Sequence, residues 1–360
     1  MTSRLLRQLQ WLTAHLLVAL VALVVIGGAT RVMQAGLACP DWPLCYGSFL
    51  PGRQMNLQVF LEWFHRLDAF VVGIGVLVLA TTTLLKRKLL PRWLPWLSGA
   101  CLFLVAFQGA LGALTVTLLL PPGIVTAHLA TALLLVMLVS VCHQLLEAAA
   151  PSSGAQPLAA ATASGSAGAI GSAVAPGMPT ANPSQSSSGL FSGLVPASTQ
   201  AAPPWWPWLA GLATLLVAAQ SLLGGLMATQ WAASLCFSAG RGCAWLGAHR
   251  LAATPAALGV LVLAGATVLV PGWCRQQRPL AATAALLVVS QVSLGVTSLR
   301  LQLSVPAVTI AHQLVAALLL AILAALSCRG WLARVSPAPS AAAVEPRSVL
   351  SNSSAEVVHG

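Results

Sequence analysis

Four histidines fall into two pairs of identical spacing: His65 and His128 are 63 positions apart, and so are His249 and His312. Each lies in a long apolar stretch, where an ionisable side chain is costly and marks a function unless a neighbouring hydroxyl or carbonyl satisfies it. Repetition of one spacing favours the functional reading for these four. Two imidazoles facing each other across helices can hold a metal. Zinc takes four ligands, or three and a water, and no cysteine or carboxylate set completes that count twice. Copper lacks a methionine-rich companion. Haem iron fits best, because it takes two axial imidazoles and places an apolar macrocycle between helices. Gly109, Gly112, Gly224, Gly225 and Gly295 would admit a flat ring close to backbone, although each alone is equally compatible with ordinary helix packing.

The acids are distributed differently. The segment Glu62-Trp63-Phe64-His65-Arg66-Leu67-Asp68 puts Glu62, His65 and Asp68 at spacings of three, on one part of a helix surface. The matching positions of the second histidine segment are Leu246, His249 and Ala252. Both segments keep the histidine and only the first keeps carboxylates. A haem that only carries electrons needs no adjacent carboxylate, whereas a site that removes protons from a substrate does. The alternative is that Glu62 marks a helix start, where an acid suits the dipole. Asp68 is expected to pair with Arg66 or Arg31.

These residues must be positioned by membrane helices. Of 360 residues, 58% are hydrophobic and 6% charged, against about a quarter charged in soluble domains, so a soluble globular protein is excluded. The net charge of +11 does not point to nucleic acid, because the basic residues cluster between apolar runs. About 20 apolar residues span a bilayer, and eight such segments are expected: 11–30, 62–85, 94–118, 124–146, 206–229, 246–270, 280–299 and 305–328. Arg4, Arg7, Lys86, Arg87, Lys88, Arg92, Arg275, Arg278, Arg329, Arg334 and Arg347 fall on one side, which places both termini in the cytoplasm. The first segment is too long for a signal peptide and no small-x-small site follows it.

The chain repeats. Gly27-Gly28 precedes Cys39 and Cys45, as Gly224-Gly225 precedes Cys236 and Cys243. The expected fold is all-α and integral to the membrane, with eight spans as two pseudo-symmetric four-helix bundles over 8–147 and 205–330. Between them, 148–204 is rich in Ala, Ser, Gly and Pro and reads as a disordered cytoplasmic linker, and 331–360 reads as a disordered tail. The four cysteines named above lie in outer loops, on the oxidising side, where a disulfide within each loop is reasonable. Each such pair is open to two readings, a structural staple or a redox couple.

With these elements in hand, the chain resembles the haem A synthases of bacteria that carry paired cysteines, closest in its first loop to cyanobacterial members. The resemblance rests on Gly28-Ala-Thr-Arg-Val, the loop from Gly36 to Gly47 with Cys39-Pro-Asp-Trp-Pro-Leu-Cys45, Glu62-Trp-Phe-His-Arg66, Gln108-Gly-Ala-Leu-Gly112 and Ala127-His128. In the second half it rests on Gln220-Ser-Leu-Leu-Gly-Gly225, His249-Arg250, Gln291-Val-Ser-Leu-Gly295 and Ala311-His312. It implies an oxidoreductase that converts the C8 methyl of haem O to the formyl group of haem A, with water as oxygen source and through an alcohol and a gem-diol. His65 and His128 would hold the haem O or haem A iron axially, and His249 and His312 a haem b iron. Glu62 would be the catalytic carboxylate, Cys39–Cys45 a functional disulfide and Cys236–Cys243 its counterpart. Implied partners are haem O, haem O synthase, the cytochrome c oxidase assembly machinery and membrane lipid, without nucleic acid; a homo-oligomer is open. The implied location is the bacterial plasma membrane, or a thylakoid membrane. The competing readings are a two-haem membrane cytochrome that only transfers electrons, and a non-catalytic haem carrier; the Glu62/Leu246 difference separates the enzyme from both.

Overall fold

A computed structural model describes residues 2–149, 201–228 and 243–335. The expected linker falls almost wholly outside these residues, as do Cys236 and residues 336–360 of the expected 331–360 tail, whose first five residues continue a helix. Among the described residues there is no β-strand, and eight helices are long and apolar enough to cross a membrane. They are α1 (Thr2–Val32), α2 (Leu57–Leu85), α3 (Leu94–Thr117), α4 (Pro122–Ala149), α5 (Trp206–Met227), α6 (Ala244–Leu269), α7 (Arg278–Arg300) and α8 (Pro306–Val335). The chain is therefore a multi-pass integral membrane protein.

The helices begin and end beyond the apolar segments that announce them. At about 1.5 Å per residue, the 31 residues of α1 span about 46 Å, well over the ~30 Å hydrocarbon layer. Its first turns carry Arg4 and Arg7, and the last turns of α8 carry Arg329 and Arg334. Such turns stand in the headgroup region, where cations are favourable and hydropathy no longer marks the helix. At the start of α2, Asn56 caps the helix by accepting from the Val59 N–H at 3.0 Å. That cap sets the entry of the helix carrying Glu62 and His65.

Each half packs as a ring. In the first, α1 contacts α2 and α4, and α3 contacts α2 and α4; in the second, α5 contacts α6 and α8, and α7 contacts α6 and α8. The halves meet where α8 lies against α1 and α4, and where α4 touches α5. Ser140 on α4 donates to the Ala321 carbonyl on α8 at 2.7 Å, and Arg329 on α8 pairs with Glu147 on α4 at 3.3 Å. One continuous set of buried apolar side chains, including Leu79, Val136, Leu263 and Leu320, runs through both halves.

The turns into α4 and α8 repeat an unusual backbone. Leu119 and Leu120 have φ of 59° and 60°, and Gln302 and Leu303 have φ of 51° and 61°. Two successive non-glycine residues in the left-handed region are disfavoured. Here they close the preceding helix: the Leu120 N–H reaches the Thr115 carbonyl at 2.8 Å and the Leu303 N–H the Ser298 carbonyl at 3.0 Å. Both turns deliver a helix whose second turn carries a histidine, His128 or His312.

Candidate functional site

All four paired histidines lie within the first three turns of their helices, at the same end of the bundles. The His65 and His128 rings are 6.4 Å apart, centre to centre, and nearly perpendicular at 82°. A metal–imidazole bond is about 2 Å, and each ring nitrogen is about 1 Å from its ring centre, so imidazoles on opposite sides of one iron sit about 6 Å apart. The buried Nδ1 atoms of His65, His128 and His312 have no hydrogen-bond partner. Orphaned imidazole nitrogens inside a membrane bundle call for an occupant.

Glycine creates the space. A Cβ on Gly27 of α1 would stand 2.8 Å from His65 Cε1, and one on Gly224 of α5 would stand 2.8 Å from His249 Cε1. On the other side, Gly112 faces His128 at 3.5 Å and Gly295 faces His312 at 3.1 Å. His65 and His249 thus press on a neighbouring helix where a Cβ would clash, His312 packs tightly on Gly295, and His128 meets Gly112 at ordinary contact distance. Of the other glycines expected to admit a ring, Gly109 meets nothing and Gly225 packs on Leu129 instead. In the sequence Gly27 stands out only through the repeat, where it aligns with Gly224.

The two pairs are fixed differently. In the second half, the Gln220 side chain donates to the His249 carbonyl at 2.8 Å and lies 3.0 Å from His249 Nδ1, and Gln291 reaches the His312 ring at 3.2 Å. In the first half, Gln108 donates only to the His128 backbone carbonyl at 2.9 Å. The position matching Gln220 is Leu23.

Glu62 is 3% exposed, on α2 one turn before His65. Its Oε2 accepts the Cys39 N–H at 2.8 Å and its Oε1 pairs with Arg66 Nη2 at 2.5 Å. Arg66 Nη1 donates onward to the carbonyls of Asp41 and Leu44 at 2.7 and 2.5 Å. Cys39 and Cys45 form a disulfide with a Cα separation of 4.8 Å, both sulfurs buried against Val59 with Trp63 and Met55 alongside. The Trp63 indole donates to Phe49. Asp41 accepts the N–H groups of Tyr46 and Gly47 at 2.6 and 2.8 Å. The Gly47 N–H above all, then that of Tyr46 and the charge of Arg66, hold its carboxyl below the usual carboxylate range against an opposing desolvation cost. The loop is therefore a strap: it is closed by a disulfide, stitched by Asp41, and clamped to Glu62 through Arg66.

This geometry corrects one expectation. Asp68 does not pair with Arg66 or Arg31; its buried Oδ2 has no partner, and Arg66 is engaged by Glu62 and the loop. The Glu62-to-Arg66 spacing of four, acid first, is the favourable helical order and was the legible signal. In the second half Leu246 stands at the Glu62 position and Arg250 is exposed. Cys101, Cys142, Cys274 and Cys328 are free and buried. The Cys236–Cys243 pairing lies outside the described residues.

Residues 10–177 match the cytochrome oxidase assembly protein family (COX15-CtaA). Over 139 residues the chain is 38% identical to the heme A synthase of Shewanella oneidensis, covering 34% of this chain and 41% of that protein. Over 128 residues it is 38% identical to the heme A synthase of Bacillus pumilus, covering 32% of this chain and 40% of that protein. The chain resembles haem A synthases. Over 73 residues it is 37% identical to a protoheme IX farnesyltransferase of Haloarcula marismortui, covering 20% of this chain and 15% of that protein. The chain thus spans about two fifths of the length of the heme A synthases it matches. The family match falls on the half that contains Glu62, the disulfide strap and the His65–His128 pair.

Proposed function

We propose that the protein is a haem A synthase that oxidises the C8 methyl of haem O to a formyl group, with His65 and His128 holding the substrate iron. The observation that carries this reading is Glu62. It is a buried carboxylate one turn from His65, held by the Cys39 N–H and Arg66, where the second half has leucine. Converting a methyl to a formyl with the oxygen of water releases four protons and four electrons. Glu62 receives protons leaving the substrate and stabilises positive charge on the carbon being oxidised. The strap over Glu62 excludes bulk water, and Arg66 fixes the carboxylate in one orientation.

His249 and His312 would hold haem b, for which the glycine faces of Gly224 and Gly295 and the orphaned His312 nitrogen leave room. When bound there, haem b would supply a one-electron redox centre beside the oxidising site. The glutamine contacts to both second-half imidazoles suit a resident group, and their absence from the His65 and His128 rings suits a substrate that comes and goes. By the distribution of basic residues, the strap faces the outer side of the membrane and both termini face the cytoplasm.

The deciding experiment is co-expression with a haem O supply, followed by pigment extraction and mass analysis. Haem A should accumulate with the intact protein. If haem b is bound and haem O remains unconverted, the electron-transfer reading replaces the enzyme.

A further inference from the structure

Arg31 closes α1 one turn beyond Gly27, at the seam between the halves. Its Nη1 donates to the Gly225 carbonyl of α5 at 3.2 Å, and its Nε is buried without a partner. Three residues earlier on α1, Gly28 packs directly against Gln313 of α8, whose Oε1 is also buried without a partner. The matching positions across the seam are Ala228 for Arg31 and Leu129 for Gln313, so the polar pair occurs once.

A guanidinium at such a place needs an anion, because an unpaired charge withdrawn from water is strongly unfavourable. The described residues do not supply one. It has six acidic residues. Glu62 is paired with Arg66 and Glu147 with Arg329, and these are the ion pairs among the described residues. Asp41 is bound to its own loop, and Asp68 makes no ion pair. Glu345 and Glu356 lie outside the described residues, following the far end of α8. The outer segment 229–242, which follows α5, contains Arg241 and no acid.

We infer that Arg31, on the seam that Gln313 lines, receives a carboxylate of a porphyrin bound at the histidine pairs. This rests on the reading of those pairs as haem sites. The α1 helix ties Arg31 to the His65 side through Gly27, while its Gly225 contact ties it to the His249 side, so a carboxylate could come from either ring. A charge-assisted contact in a half-buried seam contributes affinity that a neutral ester cannot reproduce.

The test titrates full-length protein in lipid nanodiscs with ferric haem b and with its dimethyl ester, following the Soret band. The comparison is made in the His65→Ala/His128→Ala background and in the His249→Ala/His312→Ala background, which separates the two sources. In the background that keeps the site served by Arg31, free-acid haem should bind about tenfold to a hundredfold more tightly than the ester. Arg31→Gln should abolish that preference, and Arg31→Lys should keep part of it. Equal binding of acid and ester by the protein with native Arg31, or an undiminished preference in Arg31→Gln, overturns the inference while leaving the haem sites standing. Failure of both backgrounds to bind haem with a bis-histidine spectrum overturns the haem-site reading and this inference with it.

Discussion

The two halves hold the same scaffold and differ in what surrounds it. Both present a histidine pair against facing glycines, and in each the second histidine helix is entered through the same left-handed turn. The second half anchors its imidazoles with Gln220 and Gln291 and puts Leu246 where a carboxylate would stand. The first half leaves its imidazole rings without glutamine contacts and surrounds them with Glu62, Arg66 and a disulfide strap. On the proposed reading, one scaffold would serve retention in one copy and chemistry in the other, and a few side chains one helical turn from the histidines would make the distinction.

The largest effect should come from exchanging the carboxylate. Glu62→Gln should lower haem A formation by about a hundredfold or more, with haem b content unchanged and haem O or a partly oxidised product accumulating. Wild-type haem A levels would erase the distinction between the halves. Next, His249→Ala or His312→Ala should remove the bound haem b from purified protein. His65→Ala or His128→Ala should leave it in place, as read by pyridine haemochrome content. Loss of haem b from the first-half variants instead would reverse the assignment.

A smaller effect tests the shared scaffold. Gly27→Ala and Gly224→Ala each place a methyl against an imidazole and should destabilise by about 1–3 kcal/mol, with Gly224→Ala shifting the haem b spectrum and Gly27→Ala leaving it unchanged. Thermal melts monitored at the Soret band would separate the two. The Cys39→Ser/Cys45→Ser protein should lose about 2 kcal/mol or less, since the closed loop is short, and should lose haem A formation while keeping haem b. The smallest effect belongs to Asp41. Its lowered carboxyl contributes stability to the strap above the unfolded value of about 3.9. That contribution disappears as pH falls through the lower folded value. Pepsin cleavage within 39–50 should therefore rise as pH drops below about 4, and Asp41→Asn should show the raised cleavage already at the upper end of that range.

Much of this arrangement is legible in the chain. The eight spans follow from hydropathy, because lipid enforces it on every exposed face, and the histidine pairs follow from spacing. The helix ends do not, since α1 and α8 continue into the headgroup layer where polarity rises without the helix stopping. Glu62 is visible by contrast with Leu246, but its bond to the Cys39 N–H joins residues 23 positions apart, and no periodicity encodes that. The expected pairing of Asp68 fails for a related reason. Arg66 satisfies Glu62 and two loop carbonyls at once, and a loop that folds back on its helix competes for a cation that helix spacing alone would leave available.

The adjacent glycines 27 and 28 have a consequence for how the protein can be taken apart. Gly27 answers to His65 within its own half, whereas Gly28 answers to Gln313 across the seam, and Gly225 answers in the same way to Leu129. Each half thus offers the other a helix notch and fills the other's notch with the residue that follows a histidine. The contact is reciprocal, and both of its sides lie among the described residues. Two separately expressed chains, divided within 150–200, should therefore associate in the bilayer, as co-purification of a tagged half would read.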